Sequence, residues 1–316
     1  MAWVMVVILH EKLEFMGLNV LSLFDGLSCG RIALDRSKIS VDNYYASEIK
    51  PHAIKHTKIK YPGTIQLGDV RNVHYTNLGI EVDTSESGMR VFGVDVDLLI
   101  GGSPCKGIST LNQKQQGLRH DESILFWEYL RILKEIRKTN PKVKFLLENT
   151  QGNKEAIAII TKELGVKPLK FNSSLVSAQN RIRLYWTNIP VNSMPERKYL
   201  TTLDIFSDEM PDELLITEGR IKWLNNESGK KSVEKGYTRI NPYPKSGCIT
   251  ANGHKKWNEN YILKDGKYRY LSINELEKLQ TLPVGYCDGL SYDEAYDLIG
   301  DGWTIDIIAH IFNHMK

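Results

Sequence analysis

Cysteine is scarce and dispersed. The four in the chain, Cys29, Cys105, Cys248 and Cys287, form no CxxC pair, and no Cys/His cluster has zinc-finger spacing. This excludes a disulfide framework or a structural zinc as the basis of folding, so no metal is expected, and the usage fits a reducing compartment, the cytoplasm. Long apolar runs are missing as well. The run at 2–9 is far too short to span a bilayer and has neither a basic leader nor a small-residue cleavage site, so no membrane or secretory segment is expected. Neither sign of charge dominates, with 41 Lys and Arg against 38 Asp and Glu. A net charge of +3 points only weakly to a polyanionic partner. Internal repeats and low-complexity tracts are absent, and the glycine-rich turn near the start lacks the GxGxxG spacing of a phosphate cradle.

What is present is an ordinary globular balance, 41% hydrophobic and 25% charged over 316 residues, enough for a sizeable core. Short apolar runs at 19–24, 44–48, 64–67, 97–101, 144–148, 173–176 and 183–187 read as strands. Amphipathic stretches at 31–37, 50–61 and 122–138 separate several of them and read as helices. Strand–helix alternation predicts an α/β fold with a doubly wound, mainly parallel sheet. In such sheets ligands bind beyond the carboxyl ends of the strands. From 190 to 268 the pattern gives way to a loop-rich lobe with isolated Trp223, Tyr237, Tyr243 and Trp257. Helical periodicity returns at 272–280 and 304–315. Residues 1–15 read as an appendage, an added edge strand or a cover for an apolar patch.

The residues just after each strand carry the chemistry. Gly26 and Gly30 in FDGLSCG allow a tight turn and a close approach of backbone to ligand. Glu48 could accept from the two hydroxyls of a ribose, or serve the dipole of the helix that follows. Asp69 could accept from an adenine amino group. Acidic groups at successive strand ends suit a cofactor with an adenosyl moiety and no phosphates. Cys105 follows Pro104 in GGSPCKGIS at the sheet's carboxyl edge, where a thiolate nucleophile is plausible; structural cysteines are the commoner alternative. Glu148 could act as a general acid or bind a heterocycle. Arg181 and Arg183, at i and i+2, fall on one side of an extended segment and could hold a base carbonyl and a phosphate; individually each reads equally well as a surface arginine.

FDGLSCG, the Glu48 strand, GDV, SPCKGIS, ENT and QNRIR, in that order, resemble the motifs of DNA cytosine-5 methyltransferases. RYLSINELEKLQTLP at 269–283 and LIGDGWTIDIIAHIF at 298–312 resemble the family's last two motifs. The resemblance covers nearly all of 18–315 and is greatest to the de novo branch of the animal enzymes, in a compact microbial or viral form. Lys106, Thr150 and Asp301-Gly302 depart from the family's usual residues.

The resemblance implies the mixed, Rossmann-like sheet of S-adenosyl-L-methionine-dependent methyltransferases. It also implies an appendage at 1–17, a catalytic domain at 18–190, a target-recognition lobe at 191–268 and a return to the catalytic domain at 269–316. It implies methyl transfer to carbon 5 of a flipped-out cytosine through a Cys105 adduct, with Glu148, Arg181 and Arg183 assisting. Phe24, Asp25, Gly26, Gly30, Glu48, Ile49, Asp69, Val70, Gly102, Pro104, Asp301 and Trp303 would hold S-adenosyl-L-methionine. Ser109, Asn252, His254, Lys255 and Lys256 would meet double-stranded DNA, the last four from a loop at 245–257 that sets target choice. A restriction–modification setting is one expectation, and a tRNA cytosine-5 methyltransferase on the same fold is the alternative. In the helix at 122–138, Leu125, Tyr129, Ile132 and Ile136 share the face expected to pack on the sheet. Trp127 falls on the opposite face with Arg131, Lys134 and Lys138, either lying on a neighbouring loop under the Arg131 stem or forming a homodimer contact.

Overall fold

The computed structural model describes residues 17–84, 88–104, 125–241 and 243–316. Ten strands run through its first part: β1 (Leu18–Leu23), β2 (Val41–Ser47), β3 (Ile65–Gln66), β4 (Val73–Thr76), β5 (Gly79–Asp83), β6 (Met89–Phe92), β7 (Leu98–Gly101), β8 (Lys144–Thr150), β9 (Leu169–Asn172) and β10 (Ile182–Thr187). Seven of them form one sheet in the order β3-β2-β1-β7-β8-β10-β9. β1 pairs in parallel with β2 on one side and β7 on the other, β7 pairs in parallel with β8, and β10 closes antiparallel on β8. The sheet is therefore mixed, and the order reverses between β1 and β7, the switch point at which open α/β sheets bind ligands.

The register explains why strand-end residues assemble. Leu23 pairs with Ser47 and with Gly101, and Gly101 pairs with Leu147. Phe24, Glu48, Gly102 and Glu148, one residue further along each strand, thus stand in one row at the carboxyl edge. β1, β7 and β8 are buried on both faces, which is why their apolar runs are continuous and not alternating. Helix Leu125–Thr139 packs Phe126, Tyr129, Leu130, Ile132, Leu133 and Ile136 into the same core as Leu21, Leu23, Leu99 and Phe145.

Several expectations change. Residues 173–176 do not form a strand: Ser173–Leu175 is a 3-10 turn initiated by the Asn172 side chain, and the strand lies earlier, at β9. The antiparallel sheet β4-β5-β6 was not foreseen. Its members are only four or five residues long; Val73–Thr76 and residues 80–83 do alternate apolar and polar residues, but so few positions make a weak signal.

By contacts the chain divides into two compact units. One holds the described residues up to Lys170 with Arg183–Val191 and Ile311–Lys316; the other holds Phe171–Ile182 and Asn192–His310. Residues 269–310 thus group with the second unit, and only Ile311–Lys316 rejoin the first, whereas the sequence boundaries give the whole of 269–316 to the catalytic domain. The second unit holds that tail through fully buried Arg269, which donates to Glu275 Oε1 and Oε2 at 2.8 Å each and to the carbonyls of Ser207 and Glu209 at 2.6 Å each. The loop-rich stretch itself contains helices Glu218–Asn225 and Glu227–Glu234 and a small sheet of β11 (Arg239–Asn241), β12 (Asn260–Lys264) and β13 (Lys267–Arg269).

Candidate functional site

In the first unit, the turn after β1 is wound tightly, with Phe24, Gly26 and Ser28 at φ of 59°, 53° and 54°. Two of these are not glycine, a cost of about 1–3 kcal/mol each that the surroundings must offset. The offset is visible. Asp25 is buried and accepts from Ser22 Oγ at 2.6 Å, Ser28 Oγ at 2.6 Å and Tyr44 Oη at 2.8 Å. Burial raises its pKa, and the three hydroxyls oppose that shift. With both oxygens occupied, Asp25 braces the turn, a correction to its expected place among the cofactor contacts.

Gly26 donates its N–H to Glu48 Oε2 at 2.7 Å. Glu48 Oε1 accepts from the N–H groups of Ile49 at 2.7 Å and Lys50 at 2.8 Å, at the start of helix Pro51–Lys60. The carboxylate therefore does serve that helix start. A carboxylate offers about four lone-pair sites, so Glu48 keeps one on Oε2 for a hydroxyl donor. Ile49 beside it is 64% exposed, an apolar surface at the sheet edge. Asp69 caps the 3-10 turn Val70–Asn72 and pairs with Arg71, whose hydrogen bond holds the Asp69 carboxyl below the usual range. Val70 is buried under it.

Gly30 has a different reason from the one expected. A Cβ there would lie 2.2 Å from Ile100 Cδ1 and 3.3 Å from Tyr44 Oη. Helix Cys29–Arg36 is thus seated directly on the sheet, and Gly30 permits that packing. Gly30→Val should cost about 1–3 kcal/mol through overpacking. Thermal unfolding checks this, and an unchanged melting temperature would show that Ile100 moves aside freely.

The β7–β8 side carries the reactive candidates. Gly102 and Pro104 are half-buried and Ser103 is buried. Asn149 Nδ2 donates to the carbonyl and the hydroxyl of Ser103 at 3.2 Å each, fixing the chain two residues before Cys105. Asn149 was missed as a functional residue, because its role depends on β7 and β8 being neighbours. Glu148, in β8, receives Arg183 Nε from β10 at 2.9 Å, and the two side chains are 10% and 15% exposed. Cys105 and Ser109 lie outside the described residues.

In the second unit, Arg181 precedes β10 and does not share the role of Arg183. Its guanidinium is buried and donates to the carbonyls of Ile249 at 2.7 Å, Gly300 at 3.1 Å and Gly302 at 2.8 Å. It clamps two backbone segments together, a correction to its expected place beside the base. Gln179, also missed, ties Ile249 to the end of helix Ile273–Leu279, accepting from Ile249 N at 2.9 Å and donating to Leu279 O at 3.1 Å. Trp303 is buried and Asp301 is exposed at the end of helix Tyr292–Asp301.

The DNA candidates divide as well. His254 is 9% exposed, hydrogen-bonded through Nε2 to Asp293 at 2.7 Å, with its ring 4.6 Å from that of Tyr296. Burial lowers its pKa. It organises the turn and presents no edge to a base, a correction to its expected role. Asn252, Lys255 and Lys256 remain exposed; Asn252 meets Asp297 at 2.9 Å and Lys255 meets Asp293 at 2.6 Å.

Residues 18–165 match the family model for C-5 cytosine-specific DNA methylases. This stretch of the chain is a C-5 cytosine-specific DNA methylase domain. The chain is 38% identical over 126 residues to the DNA (cytosine-5)-methyltransferase DRM2 of Arabidopsis thaliana, which covers 38% of this chain and 19% of that protein. The match therefore spans about a fifth of the plant relatives' length. Over 94% of its length the chain is 25% identical to the type II methyltransferase M1.ScrFI of Lactococcus lactis subsp. cremoris, covering 77% of it. The S. pombe Dnmt2 methyltransferase shares the fold, with a TM-score of 0.66 at 16% identity over 93% of this chain and 97% of that one. In the methylase domain, Glu48 and Asp69 place acidic groups at the carboxyl edge on the β1–β3 side, whereas Glu148 and Arg183 lie on the β8–β10 side. The first group would repel a phosphate and tolerate a cationic cofactor; the second can hold and protonate a heterocycle.

Proposed function

We propose that the chain transfers a methyl group from S-adenosyl-L-methionine to carbon 5 of cytosine in double-stranded DNA. The observation that carries this reading is the Glu148–Arg183 pair, 2.9 Å apart, beside the Ser103-Pro104 turn that leads to Cys105. Phe24, Ile49 and Val70 would enclose the adenosyl group, Glu48 would take a ribose hydroxyl and Asp69 the adenine amino group. S-adenosyl-L-methionine would supply an electrophilic methyl group on its sulfonium. The donor set fits such a ligand, because Glu48 and Asp69 make the edge acidic and Arg71 there is paired with Asp69.

Carbon 5 of cytosine is a weak nucleophile. The Cys105 thiolate adds to carbon 6, and the electron pair of the 5,6 double bond becomes available at carbon 5. Glu148 gives a proton or hydrogen bond to N3 as charge develops there. Arg183 holds the Glu148 carboxyl in place. Carbon 5 would gain the methyl group as its bond to the sulfonium breaks and a neutral thioether is left; loss of the carbon 5 proton to a base then expels Cys105. The target atoms are inaccessible in a duplex, so the base leaves the stack, at a cost of a few kcal/mol. Exposed Asn252, Lys255 and Lys256 provide DNA contacts that offset part of it.

The test is to sequence bisulfite-treated DNA from cells expressing the chain, alongside transfer of labelled methyl groups to duplex DNA and to RNA. Protected cytosines and label in DNA are expected. Label in RNA alone would overturn the DNA assignment. Among the described residues no helix is long and apolar enough to cross a membrane, and we place the protein in the cytoplasm with its DNA.

A homodimer contact through Trp127 belongs to the same proposal. Trp127 is 39% exposed on helix Leu125–Thr139. The Arg131 guanidinium is engaged with Glu128, Glu135 and the Val73 carbonyl. An exposed indole on an otherwise polar face favours a partner. Trp127→Glu should leave the melting temperature unchanged and shift sedimentation from dimer to monomer. A wild-type chain that sediments as a monomer with DNA present would rule the contact out.

A further inference from the structure

The second unit separates its charge. Residues 204–218 carry six Asp and Glu and no Lys or Arg, whereas residues 220–256 carry nine Lys and Arg against two Glu. Within the basic stretch Lys222, Lys230, Lys231, Lys235, Lys255 and Lys256 are all exposed. Trp257 stands at its end, 49% exposed.

The surroundings of Trp257 hold it in a fixed attitude. Its ring lies 5.4 Å from that of Trp223, and the Arg220 guanidinium sits 5.0 Å from the Trp257 ring and 5.4 Å from the Tyr270 ring. Arg220 also donates to the Lys256 carbonyl and to Tyr261 Oη, and Tyr261 Oη donates to the Trp257 carbonyl at 2.9 Å. The backbone is therefore pinned on both sides of the indole. Beneath it Tyr261 is fully buried with Leu224 and Ile216. A ring needed only to cover this small core would be closed over by it, but half of this one faces solvent. A rigid, exposed indole next to two lysines loses little freedom when a flat ligand stacks on it.

We propose that Trp257 is a stacking platform for an unpaired base of the DNA, with Lys255 and Lys256 holding the adjoining phosphates. This rests on the DNA-methylase reading and deepens it. Extrusion of one base leaves neighbouring bases without their stacking partners, and an indole ledge restores part of that loss to one of them. Tyr237, 64% exposed, lies in the same basic stretch and extends the set of rings open to solvent.

The test uses the full chain and two labelled duplexes. One carries a single unpaired adenine, and the other carries an abasic site in its place. Stacking on an aromatic side chain adds about 5- to 150-fold in affinity per base. The wild type should prefer the adenine duplex by a factor in that range. Trp257→Ala and Trp257→Leu should bind both duplexes alike, and Trp257→Phe should keep most of the preference. The leucine variant retains apolar cover on Trp223, so it stays informative where alanine disturbs folding. Lys255→Ala combined with Lys256→Ala should weaken both duplexes equally and flatten the salt dependence. A wild type that does not distinguish the duplexes, or a Trp257→Leu chain that still does, overturns the proposal. Methyl transfer measured on the same wild-type preparation keeps the two readings apart: an adenine preference without transfer counts against the methylase assignment and leaves the platform standing.

Discussion

Cys105→Ala is expected to remove methyl transfer to DNA altogether while leaving S-adenosyl-L-methionine binding within about twofold of wild type. The reason is chemical. Without addition of a thiolate to carbon 6, carbon 5 has no enamine character and nothing else in the proposed site supplies it. Cys105 lies outside the described residues, yet the approach to it is well defined. Gly101 is buried beside Tyr129, Ser103 is held by Asn149, and Pro104 restricts the next step of the chain. Residues 101–104, which lead to Cys105 in the sequence, are thus anchored at the carboxyl edge of the sheet. Two measurements settle it. Methyl transfer is followed with labelled cofactor, and duplex DNA containing 5-fluorocytosine is used as a trap, because fluorine at carbon 5 cannot leave as a proton. The wild type should form a stable protein–DNA adduct mapped to the peptide carrying Cys105, and Cys105→Ala should form none. Transfer by the alanine variant at near wild-type rate would end the covalent mechanism. Lost cofactor binding would assign Cys105 a structural role.

The sheet was legible because its central strands are buried on both faces, and such strands are written as continuous apolar runs: VLSL in β1, LLI in β7 and FLL in β8. Order along the chain is enough to put Glu48, Gly102 and Glu148 at one edge, because each follows its own strand. What failed to show depended on partners distant in sequence. Arg181 and Arg183 were paired on the assumption of a common strand. The strand begins at Ile182, so Arg181 lies outside it and its guanidinium turns to three carbonyls of the second unit. The packing of Gly30 against Ile100 has no local signal, because the isoleucine lies seventy residues away. His254 looked available in a basic loop, but its burial is made by Tyr292 and Tyr296, some forty residues later. Asn149 and Gln179 carry no local signal, since each acts on backbone that only the fold brings within reach.

Glu148→Gln should lower the rate of methyl transfer roughly a hundredfold to ten-thousandfold, the range general acid–base groups contribute. The substitution is nearly isosteric. Arg183 Nε, now 2.9 Å from Glu148 Oε1, can still donate to the amide oxygen, and β8 and β10 keep their pairing through Glu148 and Tyr185. The melting temperature should therefore stay close to wild type while turnover falls. Arg183→Ala should behave differently. It removes the cation from a carboxyl side chain that is only 10% exposed, and breaking such a pair from one side costs about 3–5 kcal/mol. Both stability and turnover should drop. If Arg183 acts by orienting Glu148, the two substitutions will not add: Glu148→Gln combined with Arg183→Ala should be no slower than the slower single variant. Fully additive losses would show that Arg183 contacts the substrate on its own account. Near wild-type turnover in Glu148→Gln would remove the carboxyl from the chemistry, leaving the Glu148–Arg183 pair as a brace between two strands.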